Sequence, residues 1–235
     1  MAASYTAGRR GADVRSDCWV RFEPQDCGGL VIELLSKVES LYGDSIRGIC
    51  GEVLSALGVE HARLAVEDGG ALPFTVAARV EAAVRRSGRV LNPPSSVGQG
   101  GGMTFLPEMK PCCTYGTTRD RLRRSRLYLP GNEPKFFINA GLHRPDGVIL
   151  DLEDSVAPSE KDAARVLVRN ALRQVDFYGA ERMVRINQGE MGLVDLEWVV
   201  PHNVHVVLIP KVEGAGQVRA VDEKISAVLS SGASG

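Results

Sequence analysis

Charged side chains follow three apolar segments in the C-terminal half of the sequence. The segments Gly147–Leu152, Met183–Ile186 and Val204–Pro210 read as buried strands. The carboxyl ends of parallel strands meet at one edge of a sheet, and ligands bind there in α/β folds. We therefore expect one polar cluster, made of Asp151, Glu153, Asp154, Arg185, Asn187, Lys211 and Glu213.

This cluster combines three acids with an arginine. Carboxylate oxygens are ligands that Mg²⁺ prefers, and the guanidinium fork of Arg185 matches a carboxylate. The residue types therefore point to a metal-assisted site for a carboxylate substrate. The alternative is structural: the sequence DLED (151–154) ends a strand and simply pairs with Arg185. Spacing alone leaves both interpretations open.

The same half of the chain alternates between strand and helix patterns. The predicted strands are Leu127–Pro130 and the three segments above, and the predicted helices are Pro134–Leu142, Ala163–Val175, Leu193–Val200 and Val218–Val228. Four strand–helix pairs in succession predict an all-parallel α/β fold.

The N-terminal part has the pattern of a small α+β domain. We predict strands at Trp19–Glu23, Leu30–Leu35 and Ala62–Glu67, one helix from an N-cap at Asp44 to Leu57, and a second helix over Pro73–Arg86. The stretch between the two halves is rich in Gly and Pro and lacks an apolar period. The predicted organisation is a domain over 1–87, a flexible linker over 88–118 and a second domain over 119–235.

Composition excludes several classes of protein. The chain has 28 basic and 29 acidic residues and a net charge of −1, which argues against a nucleic-acid binder. The basic run RDRLRRSR (119–126) could suggest nucleic acid, but in a neutral chain it is interpreted as a solvated entry into the second domain. No apolar run has the roughly 18 residues of a membrane span, and five irregularly spaced cysteines do not form a disulfide framework. We expect a reduced, cytoplasmic protein.

Ser16 is the one serine between Tyr5 and Leu35. Its place near the terminus, ahead of the first predicted strand, makes it a candidate modification site. An ordinary surface serine is the alternative, and the residues alone do not decide between the two.

Several motifs in the C-terminal half resemble the beta subunit of citrate lyase. They are RLRRSRLYLPGNEPKF, GVILDLEDSVAPSEKDAAR, VRIN, GLVDLEWVV and VVLIPK, in that order. The subunit belongs to the HpcH/HpaI aldolase and citrate lyase superfamily, which has a TIM-type (βα)8 barrel of about 250 residues. The resemblance implies the first four βα units of such a barrel, incomplete in this sequence, and we expect a truncation within the beta domain.

The resemblance also implies roles for individual residues. The resemblance implies that Arg185 binds the oxaloacetate carboxylate and that Arg185 and Asp154 are the catalytic residues. It makes Asp151 and Glu153 part of the Mg²⁺-bearing mouth, although the principal Mg²⁺ ligands of the family are a Glu and an Asp on later strands. The substrate-binding residues that it implies are Arg185, Asn187, Lys211, Pro130 and Gly131.

The N-terminal part resembles the gamma subunit of citrate lyase, which is its acyl carrier protein. The motifs are VRSDCWV, IELLSKVESLYGDSIR, VLSALGV and DGGALPFTVAARVEAA. The family carries a covalent 2′-(5″-phosphoribosyl)-3′-dephospho-CoA arm on a serine, a phosphopantetheine-like prosthetic group. Many relatives read ESGD or ESSD, and an ungapped match places their modified serine on Arg15. Ser16 is the hydroxyl in reach, so the attachment role passes to it.

Together the two resemblances predict a component of citrate lyase within a hetero-oligomer. Its partners would be the alpha subunit (an acyl transferase), the holo-carrier synthase and an oxo-acid substrate. The chain would carry the acyl group, and cleavage of citryl-carrier to oxaloacetate and acetyl-carrier would be impaired by the missing metal ligands. Two alternatives are a non-catalytic carrier and docking module, and a lyase for a CoA thioester such as malyl-CoA or citramalyl-CoA. The attached carrier domain argues against the CoA-thioester lyase.

Overall fold

A computed structural model describes residues 3–88 and 105–232 of the chain. These residues form two compact units, the first over 3–88 with 105–107 and the second over 108–232. No helix in the described ranges is long and apolar enough to cross a membrane.

The first unit packs two helices against a four-stranded sheet. The strands are β1 (Tyr5–Gly8), β2 (Cys18–Pro24), β3 (Leu30–Ser36) and β4 (Ala62–Asp68), and the helices are α1 (Glu39–Ala56) and α2 (Pro73–Arg86). The spatial order is β1-β2-β4-β3, with β3 parallel to β4 and the other pairs antiparallel. Cys18, Val20 and Phe22 alternate along β2 and are fully buried, which explains why the sequence pattern located this strand.

Two features of this unit differ from the prediction. Helix α1 begins at Glu39, so the N-cap placed at Asp44 is wrong and that residue lies in the second turn. Its first turn contains Leu41, which is 78% exposed, and therefore shows no buried apolar stripe. Strand β1 was not predicted, because only Ala7 of its four residues is buried.

The second unit is a four-stranded parallel sheet with helices between the strands. The strands are β5 (Arg126–Pro130), β6 (Gly147–Asp151), β7 (Glu181–Arg185) and β8 (Val206–Leu208), and the helices are α3 (Pro134–Ile138), α4 (Lys161–Gln174), α5 (Gly189–Val199) and α6 (Ala215–Gly232). The strands lie in chain order, and every residue of β6 is buried. The predicted all-parallel α/β fold is confirmed, and its assignment to part of a (βα)8 barrel stays a prediction.

The predicted linker over 88–118 is too long at its C-terminal end. Residues 89–104 lie outside the described residues, whereas 108–118 pack onto the second unit. The Cys113 side chain is buried, Arg182 Nη2 donates to the Tyr115 carbonyl at 3.1 Å, and Asn203 Nδ2 donates to the Cys113 carbonyl at 2.8 Å. These partners come from distant parts of the sequence, so local composition gave no sign of them.

The basic run at 119–126 is also more than a solvated surface. Arg123 forms an ion pair with the buried carboxylate of Glu181, and Arg124 pairs with Asp146 at 3.1 Å. Asp146 precedes β6, and Glu181 is the first residue of β7. The run therefore anchors the approach to β5.

Candidate functional site

Ser16 lies in the loop between β1 and β2, in a left-handed conformation with φ of 58°. The side chain is half-buried, and its backbone N–H donates to the carbonyl of Gly69 at 3.1 Å. The N–H of Gly69 in turn donates to the carbonyl of Asp17 at 3.0 Å. This pair of hydrogen bonds fixes the serine against the turn after β4. Arg15, the position given by the ungapped family match, is exposed beside it.

A buried ion pair holds the residue that follows the serine. Arg79 on α2 donates from Nε to Asp17 Oδ1 at 2.9 Å and from Nη2 to Oδ2 at 2.8 Å. The two side chains are 1% and 5% exposed. A bidentate pair of this kind fixes the orientation of the Asp17 carboxylate relative to Arg79 as well as the distance between them. Sequence analysis missed it, because the partners are 62 positions apart.

The second candidate site lies at the carboxyl ends of β5, β6 and β7. Pro130, Asp151 and Arg185 sit side by side across these three strands. Arg185 Nε and Nη2 each donate to an oxygen of Asp151 at 2.7 Å. Its Nη1 lies 3.2 Å from Glu153 Oε2 and 3.7 Å from Asp154 Oδ2. The convergence expected from the strand ends is present.

Lys211 completes the cluster from the segment after β8. Its Nζ lies 2.9 Å from Glu153 Oε1 and 3.2 Å from Asp154 Oδ1. The Lys211 and Asp154 side chains are 56% and 60% exposed, so this side of the cluster faces solvent. Gln188 Nε2 also donates to Glu153 Oε1, at 2.8 Å. Glu213 is exposed, and its N–H donates to Gln217.

The two buried carboxyls of the cluster are held in the ionised form. Burial alone would raise the pKa of Asp151, but hydrogen bonds from Arg185, Ser155 and two backbone N–H groups bring it to about 2. Burial likewise opposes ionisation of Glu153, and its hydrogen bonds from Lys211 and Gln188 bring that pKa to about 2. The bond to Asp151 raises the pKa of Arg185 above its ordinary value. Asp151 and Glu153 are therefore anions at neutral pH.

Asn187 is buried, and both ends of its amide are engaged by the protein. Nδ2 donates to Asp195 at 2.8 Å, and Oδ1 accepts a hydrogen bond from Lys161. Lys161 also donates to the carbonyls of Leu152 and Glu153, at 2.9 and 2.8 Å. The predicted substrate-binding residue thus joins the end of β7 to the loop after β6.

Lys161 and Asp195 were not singled out from the sequence. Arg165, one turn after Lys161 on α4, forms an ion pair with Asp195 on α5. A lysine and an arginine four positions apart on a helix, facing an acid on the next helix, were the available signal.

Gly131 has a packing role at the predicted substrate-binding corner. Its N–H donates to the Asp151 carbonyl at 2.8 Å, and a Cβ atom added to it would stand 2.5 Å from that same oxygen. Glycine is therefore required for the close approach of β5 to β6. Tyr128, which sequence analysis did not select, lies with its ring 5.3 Å from the Arg185 guanidinium carbon. This contact adds a cation–π partner to Arg185.

The predicted magnesium ligands do not fit a metal ion by themselves. Both oxygens of Asp151 accept hydrogen bonds from Arg185, and those of Glu153 face Arg185 and Lys211. Residues 3–88 and 105–232 contain no group of three His, Cys, Asp or Glu side chains arranged to hold a metal. Two carboxylates already neutralised by cations are a poor ligand set for Mg²⁺.

Comparison with known proteins divides the chain in the same way as the fold. Residues 8–87 match the ACP family described by the malonate decarboxylase delta subunit, and residues 124–230 match the HpcH/HpaI aldolase/citrate lyase family. The chain therefore combines an acyl-carrier-like domain with a domain of a carbon–carbon lyase superfamily. More particularly, residues 124–230 form a domain of the HpcH/HpaI aldolase/citrate lyase family. The assignment of the carrier part to the citrate lyase gamma subunit stays a prediction.

The relatives of the second domain are citrate lyase beta subunits and enzymes named for CoA thioesters. The citrate lyase subunit beta of Haemophilus influenzae is 42% identical over 110 residues, which are 46% of this chain and 38% of that protein. The same subunit from Leuconostoc mesenteroides subsp. cremoris is 38% identical over 46% of this chain and 36% of its own length. The mitochondrial citramalyl-CoA lyase of Mus musculus is 37% identical over 44% of this chain and 32% of its own length. The chain thus spans less than two fifths of each of these relatives.

Proposed function

We propose that this chain is a component of a citrate lyase, with an acyl carrier on its first unit and a site for the oxo-acid half of citryl-carrier on its second. The observation that supports this most is the Arg185–Lys211 pair of cations at the carboxyl ends of the parallel strands. Cations of this kind bind a carboxylate substrate, and an arginine can donate two parallel hydrogen bonds to it.

In this proposal the residues of the cluster divide the work. Asp151 accepts hydrogen bonds from Nε and Nη2 of Arg185, so Nη1 and Lys211 are left to Glu153 and to the exposed carboxylate of Asp154. The oxo-acid carboxylate replaces Asp154 beside Nη1 and Lys211, while Glu153 keeps its contacts with both cations. Lys161 and Asn187 position the loop that carries the three acids.

Cleavage of the citryl thioester requires one proton to move. The hydroxyl proton of the citryl group leaves, its carbon becomes the carbonyl of oxaloacetate, and the electron pair of the breaking C–C bond passes to the α-carbon of the thioester. A proton then adds to that carbon and gives the acetyl thioester. We assign both transfers to Asp154, because it is the exposed acid of the cluster.

The test of this assignment uses the purified full chain with a synthetic citryl thioester. Oxaloacetate released would be measured through its reduction by malate dehydrogenase and NADH. Turnover that falls at least about 100-fold in Asp154→Asn would support the assignment. The matched control is Asp222→Asn, an exposed acid on α6. Equal turnover in both variants would contradict it.

Carrier function is tested separately by mass. We expect co-expression with a holo-carrier synthase to add one prosthetic arm, and Ser16→Ala to prevent the addition. The double variant Arg15→Ser, Ser16→Ala tests whether a serine at position 15, where the ungapped family match places it, accepts the arm instead. An arm on any other residue would contradict the Ser16 assignment.

A second candidate function is carbon–carbon cleavage of a free CoA thioester. The similarity to citramalyl-CoA lyase, 37% identical, favours it. The same assay with citramalyl-CoA and malyl-CoA in place of the citryl thioester separates the two activities. Turnover of neither class of thioester would leave the carrier and docking module as the function.

A further inference from the structure

An uncharged cavity lies in the first unit, between α1 and the N-terminus of α2. It has a volume of about 450 Å³, which is within the range of small-molecule sites. Ile46 and Val76 give it a buried apolar lining, whereas the Tyr42 and Leu72 side chains are 58% and 42% exposed and form its entrance. Among the described residues that line the cavity, none has a charged side chain.

The walls of this cavity are fixed by local structure. Helix α1 contributes residues at helical spacing, which therefore share one of its faces: Tyr42, Ser45, Ile46 and Ile49. The opposite wall includes the turn after β4, in which Asp68 Oδ1 accepts the N–H groups of Gly70 and Ala71 at 3.0 and 2.7 Å. Since hydrogen-bonded elements hold both walls, the cavity is preformed.

The same turn holds Ser16. The carbonyl of Gly69 accepts the Ser16 N–H at 3.1 Å, and the next residue, Gly70, lines the cavity. One peptide unit therefore separates the contact with the serine from the cavity wall. A long arm attached to the serine oxygen begins close enough to place its far end in the cavity.

The lining selects an uncharged ligand. Its polar side chains are the hydroxyls of Tyr42 and Ser45, which can bond amide groups, and the rest of it is apolar. Pantetheine is an uncharged chain with amides and a dimethyl group, and it stays uncharged when its thiol is acetylated. A citryl thioester has carboxylates, and the burial of a carboxylate without a cation is strongly unfavourable.

We propose that this cavity binds the pantetheine end of the arm carried on Ser16 when the thiol is free or acetylated, and excludes it when it carries the citryl group. The inference rests on the proposed carrier function and adds to it a binding site that distinguishes the two acyl states by charge. The citryl-loaded arm would stay in solvent, available to a lyase site.

The experiment compares three free probes on the isotope-labelled apo chain, by the shifts of backbone amides in α1 and α2. S-acetylpantetheine is the uncharged ligand, S-succinylpantetheine has a carboxylate, and S-butyrylpantetheine matches the succinyl probe in length without the charge. We expect the acetyl and butyryl probes to shift the amides around Ile46 and Val76 saturably. The succinyl probe should bind at least about tenfold more weakly than the butyryl probe.

A variant at the entrance tests the location of the site. Leu72 is the N-cap residue of α2 and has an extended backbone, so Leu72→Asp introduces a favourable cap and should not unfold the helix. The loss of its apolar contact should weaken binding of the butyryl probe at least about fivefold. The matched control is Leu41→Asp, an exposed leucine in the first turn of α1 that does not line the cavity.

Three results would overturn the inference: no saturable shift with the uncharged probes, equal affinity for the succinyl and butyryl probes, or equal affinity in Leu72→Asp and Leu41→Asp. The holo chain identifies the occupant, because an arm seated in the cavity prevents the acetyl probe from binding. Equal binding of that probe by apo and holo chains would contradict the proposal. Intact mass reports the arm independently of the amide shifts, so failure of the carrier function and failure of the cavity inference are distinguishable.

Discussion

The buried pair of Asp17 and Arg79 gives the sharpest prediction about the first unit. Replacing Arg79 by Met removes two hydrogen bonds of 2.9 and 2.8 Å and leaves the Asp17 carboxylate, 5% exposed, without its cation. Removal of one partner from a buried ion pair costs about 3–5 kcal/mol, because the remaining charge is uncompensated. We therefore expect Arg79→Met to lower the free energy of unfolding of the first unit by about that amount.

The assay is urea unfolding of the full chain followed by Trp19 fluorescence, with Trp198→Phe as background. Arg63→Met is the control, because its pair with Glu33 is about half exposed on each side and contributes little. Adding Asp17→Asn to Arg79→Met removes the stranded charge and should restore part of the loss. If Arg79→Met were no more damaging than Arg63→Met, the pair would not be what fixes the Ser16 loop.

Three further predictions concern the second unit. The pKa of Asp151 is about 2, below its ordinary value of 3.8, so its contribution to stability is complete above about pH 4 and is lost as the pH falls toward 2. The urea midpoint, followed by Trp198 fluorescence, should therefore decrease over this pH range, and Asp151→Asn should make the decrease smaller. Gly131→Ala places a Cβ atom 2.5 Å from the Asp151 carbonyl oxygen and should lower the free energy of unfolding by about 1–3 kcal/mol. Gly116→Ala, whose added Cβ has nothing within 4 Å, should change it little in the same unfolding assay. Arg185→Gln should weaken oxaloacetate binding at least tenfold by calorimetry, and unchanged affinity would remove the arginine from the proposed site.

The sequence predicted the polar cluster of the second unit because the order of the strands in the sheet is the same as their order along the chain. In a parallel sheet with strands in sequence order, residues that end consecutive strands become neighbours. Asp151 and Arg185 are 34 positions apart yet sit side by side in register. The charge pattern at the strand ends was therefore enough to bring them together.

Long-range polar contacts were beyond the reach of sequence patterns. The segment around Tyr115 looked like linker, since its Gly- and Pro-rich surroundings show no apolar period. It is held by Arg182, which lies 67 positions away and donates to its carbonyl. Local sequence patterns did not indicate the role of Lys161 for the same reason, since its partner Asn187 lies in the next strand–helix unit. Side chains that satisfy buried carbonyls have no local spacing to reveal them.

The carrier role of Ser16 is tested most directly by an intact mass, with peptide mapping, of the full chain isolated from its native host. We expect a mass above that of the bare 25.3 kDa chain by one nucleotide-type prosthetic arm, located on the peptide that contains Ser16. A chain with no added mass, or with the arm on another residue, would contradict the carrier role assigned to this serine.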